Sequence, residues 1–259
     1  MIYEKQSVFC KLINNTSVNN EIFRLDFIWQ GNAQAGQFFM VKPKRSAVFL
    51  GRPISMALRE NDTVKFLIAR RGRGSLELAS MRPGEEAELI GPLGNAWADF
   101  LPVEKNGKPI ALIGGGIGIA PLHALLCEDS GFKFDLYAGF RTGFKNMDEQ
   151  QSLFGAASSK AENIILSTED GKTGKKGLIP DYLEPEKYAA VCACGPEPML
   201  KAVAARCSVF GVPCFVSLER RMACGVGACL GCTVQTVNGN RRCCADGPIF
   251  NADEVIFDE

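Results

Sequence analysis

The chain has 259 residues, 46% of them hydrophobic, enough for roughly one to three well-filled cores. Its 29 basic and 29 acidic residues cancel to zero net charge, whereas nucleic-acid binding normally leaves a basic excess. The chain has eleven cysteines, and its N-terminus, MIYEKQSVFCKL, has no signal-peptide core; this favours thiol chemistry in a reducing, cytoplasmic setting over a disulfide scaffold.

Residues 1 to about 103 read as strands. Phe23, Leu25, Phe27 and Trp29 alternate with Arg24, Asp26 and Ile28, and Val64, Phe66 and Ile68 with Lys65 and Leu67. Such period-two runs, cut by turns at Gln30-Gly31-Asn32 and Arg82-Pro83-Gly84, predict an antiparallel sheet or barrel, with no long helical stripe competing. Within it, Arg52-Pro53-Ile54-Ser55 sets an arginine beside a hydroxyl, a pair suited to a phosphate, or else a surface arginine before a turn. Gly72-Arg73-Gly74-Ser75 offers backbone N–H groups to an anion and reads equally well as a hairpin turn.

A polar linker, Glu104-Lys105-Asn106-Gly107-Lys108, changes the style of the chain. The uncharged stretch from Pro109 to Cys127 is nearly long enough to span a membrane, but four glycines and Pro121 make strand, tight loop and helix the better account. Ile110-Ala111-Leu112-Ile113 is the strand, apolar enough for burial on both faces. The loop Gly114-Gly115-Gly116-Ile117-Gly118 can present amides to a pyrophosphate, although Pro121 stands where G-x-G-x-x-G needs its last glycine. Packing of strand on helix is the alternative role. Phe134–Ala138, Ile164–Leu166 and Ala189–Cys194 are further strands, the last followed by Gly195-Pro196 and a helix through Met199 to Cys207. Alternating strands and helices predict a parallel sheet over residues 104–215, and Cys194-Gly195-Pro196 falls at a strand end, a ligand position or a packing turn. Cys10, Cys127, Cys192, Cys207 and Cys214 sit among apolar residues as buried thiols.

Beyond Ser217 lie about forty residues, too few to bury a good core without a metal or a partner. Cys224-x4-Cys229-x2-Cys232, with Cys243 and Cys244 further on, has the plant-type ferredoxin spacing for a 2Fe-2S cluster. Gly225, Gly227 and Gly231 leave room for backbone to wrap a cluster closely. Zinc is the alternative, but it favours paired CxxC knuckles or histidines, and His123 is the only histidine. A Rieske centre needs two. Spacing alone leaves the fourth ligand open between Cys243 and Cys244. The acidic residues Asp246, Asp253, Glu254, Asp258 and Glu259 read as a solvated tail.

Taken in order, these motifs resemble the ferredoxin–NADP reductase superfamily. Arg52–Ser55 is similar to its flavin motif, Gly36-Gln37-Phe38 and Gly91-Pro92-Leu93-Gly94-Asn95 to its barrel turns, Gly114–Pro121 to its nicotinamide loop, and Cys194-Gly195-Pro196 to its CGP motif. The tail, Glu219 to Cys229 and Cys244-Ala245-Asp246-Gly247-Pro248-Ile249-Phe250, resembles the electron-transfer subunits of class 1B dihydroorotate dehydrogenase. The resemblance covers essentially the whole chain. It implies a flavin-binding antiparallel β-barrel (1–103), a nicotinamide-binding α/β unit with a parallel sheet (104–215) and a small 2Fe-2S unit (216–259). Metal ligands would be Cys224, Cys229, Cys232 and Cys244. FAD would be held by Arg52, Pro53, Ile54, Ser55, Leu67, Ile68, Ala69, Gly74 and Ser75. NAD would be held by Gly114, Gly115, Gly116, Gly118, Gly195 and Pro196, with Cys194 beside the flavin–nicotinamide contact. The implied partner is an FMN-containing catalytic subunit, in a heterotetramer with two of each. Another relay of the superfamily, a hydrogenase or ferredoxin:NADP oxidoreductase subunit, is the nearest alternative; a zinc-binding interaction module is further off. Two departures from the family stand out: Ser75 where threonine is usual, and the charges of Arg70 and Arg71.

Overall fold

The computed structural model describes residues 6–102, 107–155 and 159–257. Glu104, Lys105 and Asn106 of the expected linker, and Asp258 and Glu259 of the acidic tail, lie outside them. Six strands, β1 (Gln6–Ser17), β2 (Ile22–Ile28), β3 (Phe38–Pro43), β4 (Arg52–Glu60), β5 (Thr63–Ala69) and β6 (Glu86–Leu93), close into an antiparallel barrel ordered β1-β2-β5-β4-β3-β6. Leu25, Phe27, Val64, Phe66 and Ile68 fill its interior, as the alternation predicts. Trp29, Phe39 and Phe66 meet edge to face there, with centroids 5.1 and 5.5 Å apart. Each such side chain contributes about 1.5–3 kcal/mol by burial. Asp26, expected to face out, is buried instead. Its carboxylate is matched by Arg24 Nε at 3.2 Å and Asn14 Nδ2 at 3.2 Å, and burial of a charge requires such partners.

The hairpin turn considered at Gly72–Ser75 is instead the start of a short helix, α1 (Arg73–Ala79). Ser75 makes it so. Its hydroxyl accepts from the N–H groups of Arg71 and Gly72, both at 3.0 Å, and donates to the Gly72 carbonyl at 2.9 Å.

The second half is built on β7 (Ile110–Gly115), β8 (Phe134–Phe140), β9 (Asn163–Thr168), β10 (Lys175–Lys176), β11 (Ala190–Cys194) and β12 (Cys214–Ser217), all parallel, in the order β10-β9-β8-β7-β11-β12. Every residue of β7 and β11 is buried, which is why both read as unbroken apolar runs. Helices α2 (Ile119–Cys127), α3 (Met147–Phe154) and α4 (Glu197–Val209) accompany them. No helix among the described residues is long and apolar enough to cross a membrane. The α2 helix bears on the barrel: His123 Nδ1 lies 3.0 Å from the Ala57 carbonyl of β4, and burial lowers the imidazole's pKa. Of the five thiols expected to be buried, Cys127 is only half-buried.

The C-terminal residues do not stand apart. They form a hairpin, β13 (Thr233–Thr236) and β14 (Gly239–Arg242), and then β15 (Ile249–Asn251), which adds an antiparallel strand to the β12 edge of the large sheet. No pattern in the sequence announces this strand, and β12 itself runs past residue 215 to Ser217. Cys232, Val234, Cys244 and Phe250 share one core with Phe38, Met40 and Leu93 of the barrel and Ile113 and Val216 of the sheet. The partner that so short a segment needs is thus the rest of its own chain.

Asn95, just after β6, fastens it. Its N–H donates to the Gly247 carbonyl at 2.8 Å, its Nδ2 donates to the Ile249 carbonyl at 2.9 Å, and its Oδ1 accepts the Ile249 N–H at 3.0 Å. Asn95→Ala keeps the first bond and strands the other two partners. It is expected to cost the cofactor-free chain about 2 kcal/mol in urea unfolding and to speed hydrogen exchange at the Ile249 amide. Unchanged exchange there would show that the side chain does not hold the segment.

Candidate functional site

The first four residues of β4, Arg52, Pro53, Ile54 and Ser55, are all half-buried, whereas Met56 and Ala57 beyond them are buried. A barrel strand open along this stretch has room for something on it. Cross-strand register pairs Met40 with Pro53 and Phe38 with Ser55, so Pro53 and Ser55 share a face with the β3 side chains that touch the C-terminal segment. Arg52 turns the other way. Its Nη2 donates to the Leu50 carbonyl at 3.0 Å, while its buried Nε has no partner. That Nε sits where a Cβ on Gly74 would be, 2.4 Å away. Arginine and backbone thus form one cradle beside a cavity of about 480 Å³. A half-buried guanidinium with an unspent Nε donor, next to open volume, is a fit for a phosphate.

Ser75 lines the same cavity, but its hydroxyl is spent on the Arg71–Gly72 turn. Ile68 points into the barrel, and Leu67 is buried on the opposite face. Ala69 ends the strand half-buried. The extra charges find local uses. Arg70 lies over the Phe23 ring at 5.3 Å, and Arg71 offsets the Glu219 carboxyl, whose pKa burial raises.

The glycine loop and the CGP turn meet across the neighbouring ends of β7 and β11. Gly114 and Gly115 end β7, and Gly116–Gly118 form a tight 3-10 turn leading into α2. A Cβ on Gly118 would lie 2.3 Å from the Cys194 carbonyl oxygen, and one on Gly115 2.6 Å from Met199 Sδ and 2.8 Å from Pro196 Cδ. Gly116, at φ +55°, has no atom within 4 Å of a Cβ. Close packing therefore explains most of these glycines, and Gly116 alone borders open space. Gly195 closes against Gly115 from the other side. The Cys194 thiol is buried and kept protonated by that burial, with the Ser217 hydroxyl as a hydrogen-bond partner.

The four cysteines fall into two pairs. Cys224 and Cys229 are hydrogen-bonded on the outer side. Backbone N–H groups of Val226, Cys229 and Ala228, together with the Cys229 thiol, hold the Cys224 thiol down to about 6. Cys232 and Cys244 are the inner pair. Burial pushes the Cys244 thiol up to about 12, and the Cys232 thiol hydrogen-bonds to it. The Gly227 N–H points at Cys244 Sγ from 3.1 Å, and the Cys244 N–H at Cys232 Sγ from 3.4 Å. Among the described residues no three His, Cys, Asp or Glu side chains converge on one ion-sized point. Two thiol pairs with amides aimed at sulfur suit a two-iron cluster; a single zinc asks its donors to converge. The Cys243 Sγ donates to the Leu218 carbonyl at 3.2 Å.

Two braces went unseen in the sequence. Arg242 grips Asp246 through Nη2 at 2.9 Å and Nε at 3.0 Å, which holds the Asp246 carboxyl down to about 2. Gly225, at φ +70°, brings the cysteine loop so near β3 that a Cβ would lie 2.6 Å from Met40 Cγ. Only the spacing of glycines hinted at the second.

A closed antiparallel barrel, a parallel sheet entered through a glycine loop and a CGP turn at the next strand end together define the fold of the ferredoxin–NADP reductase type. A solved NADH-dependent reduced ferredoxin-NADP oxidoreductase superposes with a TM-score of 0.80 over 97% of this chain and 91% of that one, at 23% identity. A ferredoxin NADP+ reductase from Neisseria gonorrhoeae, solved with FAD and NADP, gives 0.66 over 80% and 93%, at 19% identity. Residues 219–256 match the iron-sulfur cluster binding domain of dihydroorotate dehydrogenase B. The "dihydroorotate dehydrogenase B (NAD(+)), electron transfer subunit" of Clostridium perfringens is 38% identical over 251 residues, covering 95% of this chain and 97% of its own. That of Clostridium acetobutylicum is 35% identical over 249 residues, covering 96% and 97%. The chain belongs to this family, the electron transfer subunits of NAD+-linked dihydroorotate dehydrogenase B.

If packing dictates Gly118, its alanine variant is expected to lose the upper end of about 1–3 kcal/mol. Gly116→Ala carries only the cost of a positive φ, about 1 kcal/mol. Chemical denaturation of the two variants side by side checks this, and the reverse ranking would contradict it.

Proposed function

We propose that this chain is the electron-transfer subunit of an NAD-linked dihydroorotate dehydrogenase serving pyrimidine (UMP) synthesis in the cytoplasm. It would take electrons from an FMN-containing catalytic subunit that oxidises dihydroorotate, in an assembly of two copies of each. The observation that carries this is the seating of the cysteine loop on Met40. The cross-strand neighbour of Met40 is Pro53, inside the Arg52–Ser55 stretch. Thiols suited to a one-electron carrier therefore lie one strand from a site suited to a flavin.

Arg52 would hold FAD by its phosphates, with Gly74 leaving the space and Ser75 shaping the turn. Pro53, Ile54 and Ser55 would lie along the flavin, and Leu67, Ile68 and Ala69 would shape the adjoining strand. Cys224 and Cys229 would hold one iron of a 2Fe-2S cluster, and Cys232 and Cys244 the other. NAD would enter at Gly116, with Gly114, Gly115, Gly118, Gly195 and Pro196 setting the shape of the crease. Cys194 would present a neutral thiol beneath the nicotinamide contact. When bound, FAD exchanges electrons singly with an iron–sulfur cluster and as a hydride with NAD+, which neither neighbour does alone. The chain's own part is to orient these groups, keep water from the buried Cys232–Cys244 side, and hold Cys194 protonated.

The fold by itself also suits a ferredoxin:NADP oxidoreductase subunit, since one such enzyme superposes well. The match of residues 219–256 and the identity along nearly the whole chain favour the dihydroorotate assignment.

Cys229→Ser is expected to leave FAD bound while the visible absorption of the cluster and electron transfer from the partner are lost. Absorption spectra and orotate-linked NAD+ reduction with the catalytic subunit measure both. Full retention of that coupled activity would refute the relay. The chain alone is expected not to oxidise dihydroorotate.

A further inference from the structure

The loop between β3 and β4 carries the most exposed large apolar side chain of the described residues. Phe49 is 88% exposed, three residues before Arg52, and lines the same cavity of about 480 Å³ with Ala47, Val48, Arg73 and Gly74. A lone exposed ring is ordinary on a surface, but one at the lip of a cavity beside Arg52 is placed to meet what enters it. The loop is also anchored. Ser46 Oγ donates to Glu77 Oε2 on α1 at 2.5 Å and accepts the Val48 N–H at 3.0 Å. Arg52 ties down its far end through the Leu50 carbonyl. Lys42 places its ammonium 5.6 Å from the centroid of the Phe49 ring. The ring is thus presented on a braced loop among cations.

Direction along β4 identifies what it meets. From Arg52 towards Ala57 the strand approaches α2, through the His123 contact, and the glycine crease. Pro53, on the way, neighbours the cysteine loop through Met40. The redox end of any flavin therefore lies on that side. Phe49 lies on the opposite side of Arg52, beyond the phosphate position. The part of FAD beyond its phosphates is the adenosine, whose flat purine stacks on aromatic faces.

We propose that Phe49 is the adenine platform of the FAD site and so decides that the chain takes FAD in preference to FMN, which ends at its phosphate. Arg52 then recognises what both flavins share, and Phe49 what only FAD has. Ser46 and Glu77 are positioning residues that hold the platform at the cavity edge. This rests on the flavin assignment above.

The test is a titration of the flavin-stripped full chain with FAD and, separately, with FMN, followed by flavin fluorescence. Phe49→Ala is expected to weaken FAD binding roughly tenfold and leave FMN binding unchanged. Phe49→Tyr, which keeps the ring, is expected to bind FAD as the parent does. Because the side chain is exposed, neither change removes a core contact. Equal weakening of FAD and FMN, or no effect of Phe49→Ala on either, would overturn the proposal while leaving the flavin assignment intact. A parent chain that binds neither flavin would instead overturn the flavin assignment itself.

Discussion

One short stretch, Gly247 to Asn251, ties the barrel to the sheet. On one side it pairs as β15 with β12; on the other it is gripped by Asn95 at the end of β6. A strand bonded to one body and clamped by another leaves little freedom between them. The backbone polar groups of Gly247 and Ile249 find partners only in this arrangement, and an unmade buried bond costs about 1–3 kcal/mol. The α2–β4 contact through His123 adds a second fixed point. Rigid geometry matters for the assigned chemistry, since electron carriers must keep their spacing while partners and NAD come and go.

The fold was largely legible because its halves use different periods. Alternation of two in Phe23–Trp29 and Val64–Ile68 marks strands with one buried face. The unbroken apolar runs of Ile110–Ile113 and Ala190–Cys194 mark strands covered on both. Two elements were missed for physical reasons. Helix α1 is only seven residues long, and its signal is a single hydroxyl, Ser75, reaching back to its own backbone. Strand β15 spans only three residues and exists because the β12 edge is there to pair with it, a tertiary effect no local pattern carries.

The site divides in the same way. Thiol spacing pointed to Cys224, Cys229 and Cys232 and left Cys243 and Cys244 open, which the family resemblance resolved towards Cys244. The structure adds that the Cys243 thiol donates to the Leu218 carbonyl. The glycine loop was legible as a loop, but which glycines serve packing depends on how near Cys194 and Met199 come, and those residues are some eighty positions away. The hold of Asn95 on Ile249 was invisible because the partner lies 154 positions away, whereas Arg242 and Asp246 are only four apart and pair through the turn between them.

The position of β15 in chain order carries a consequence for biosynthesis. During translation the barrel strands emerge first, then the parallel sheet, and the clamp that ties the two emerges after both. Until it does, the β12 edge is an open template for stray pairing and the Asn95 amide has nothing to hold. A ribosome that stalls before Gly247 emerges leaves barrel and sheet in contact through their shared core, with that edge still open.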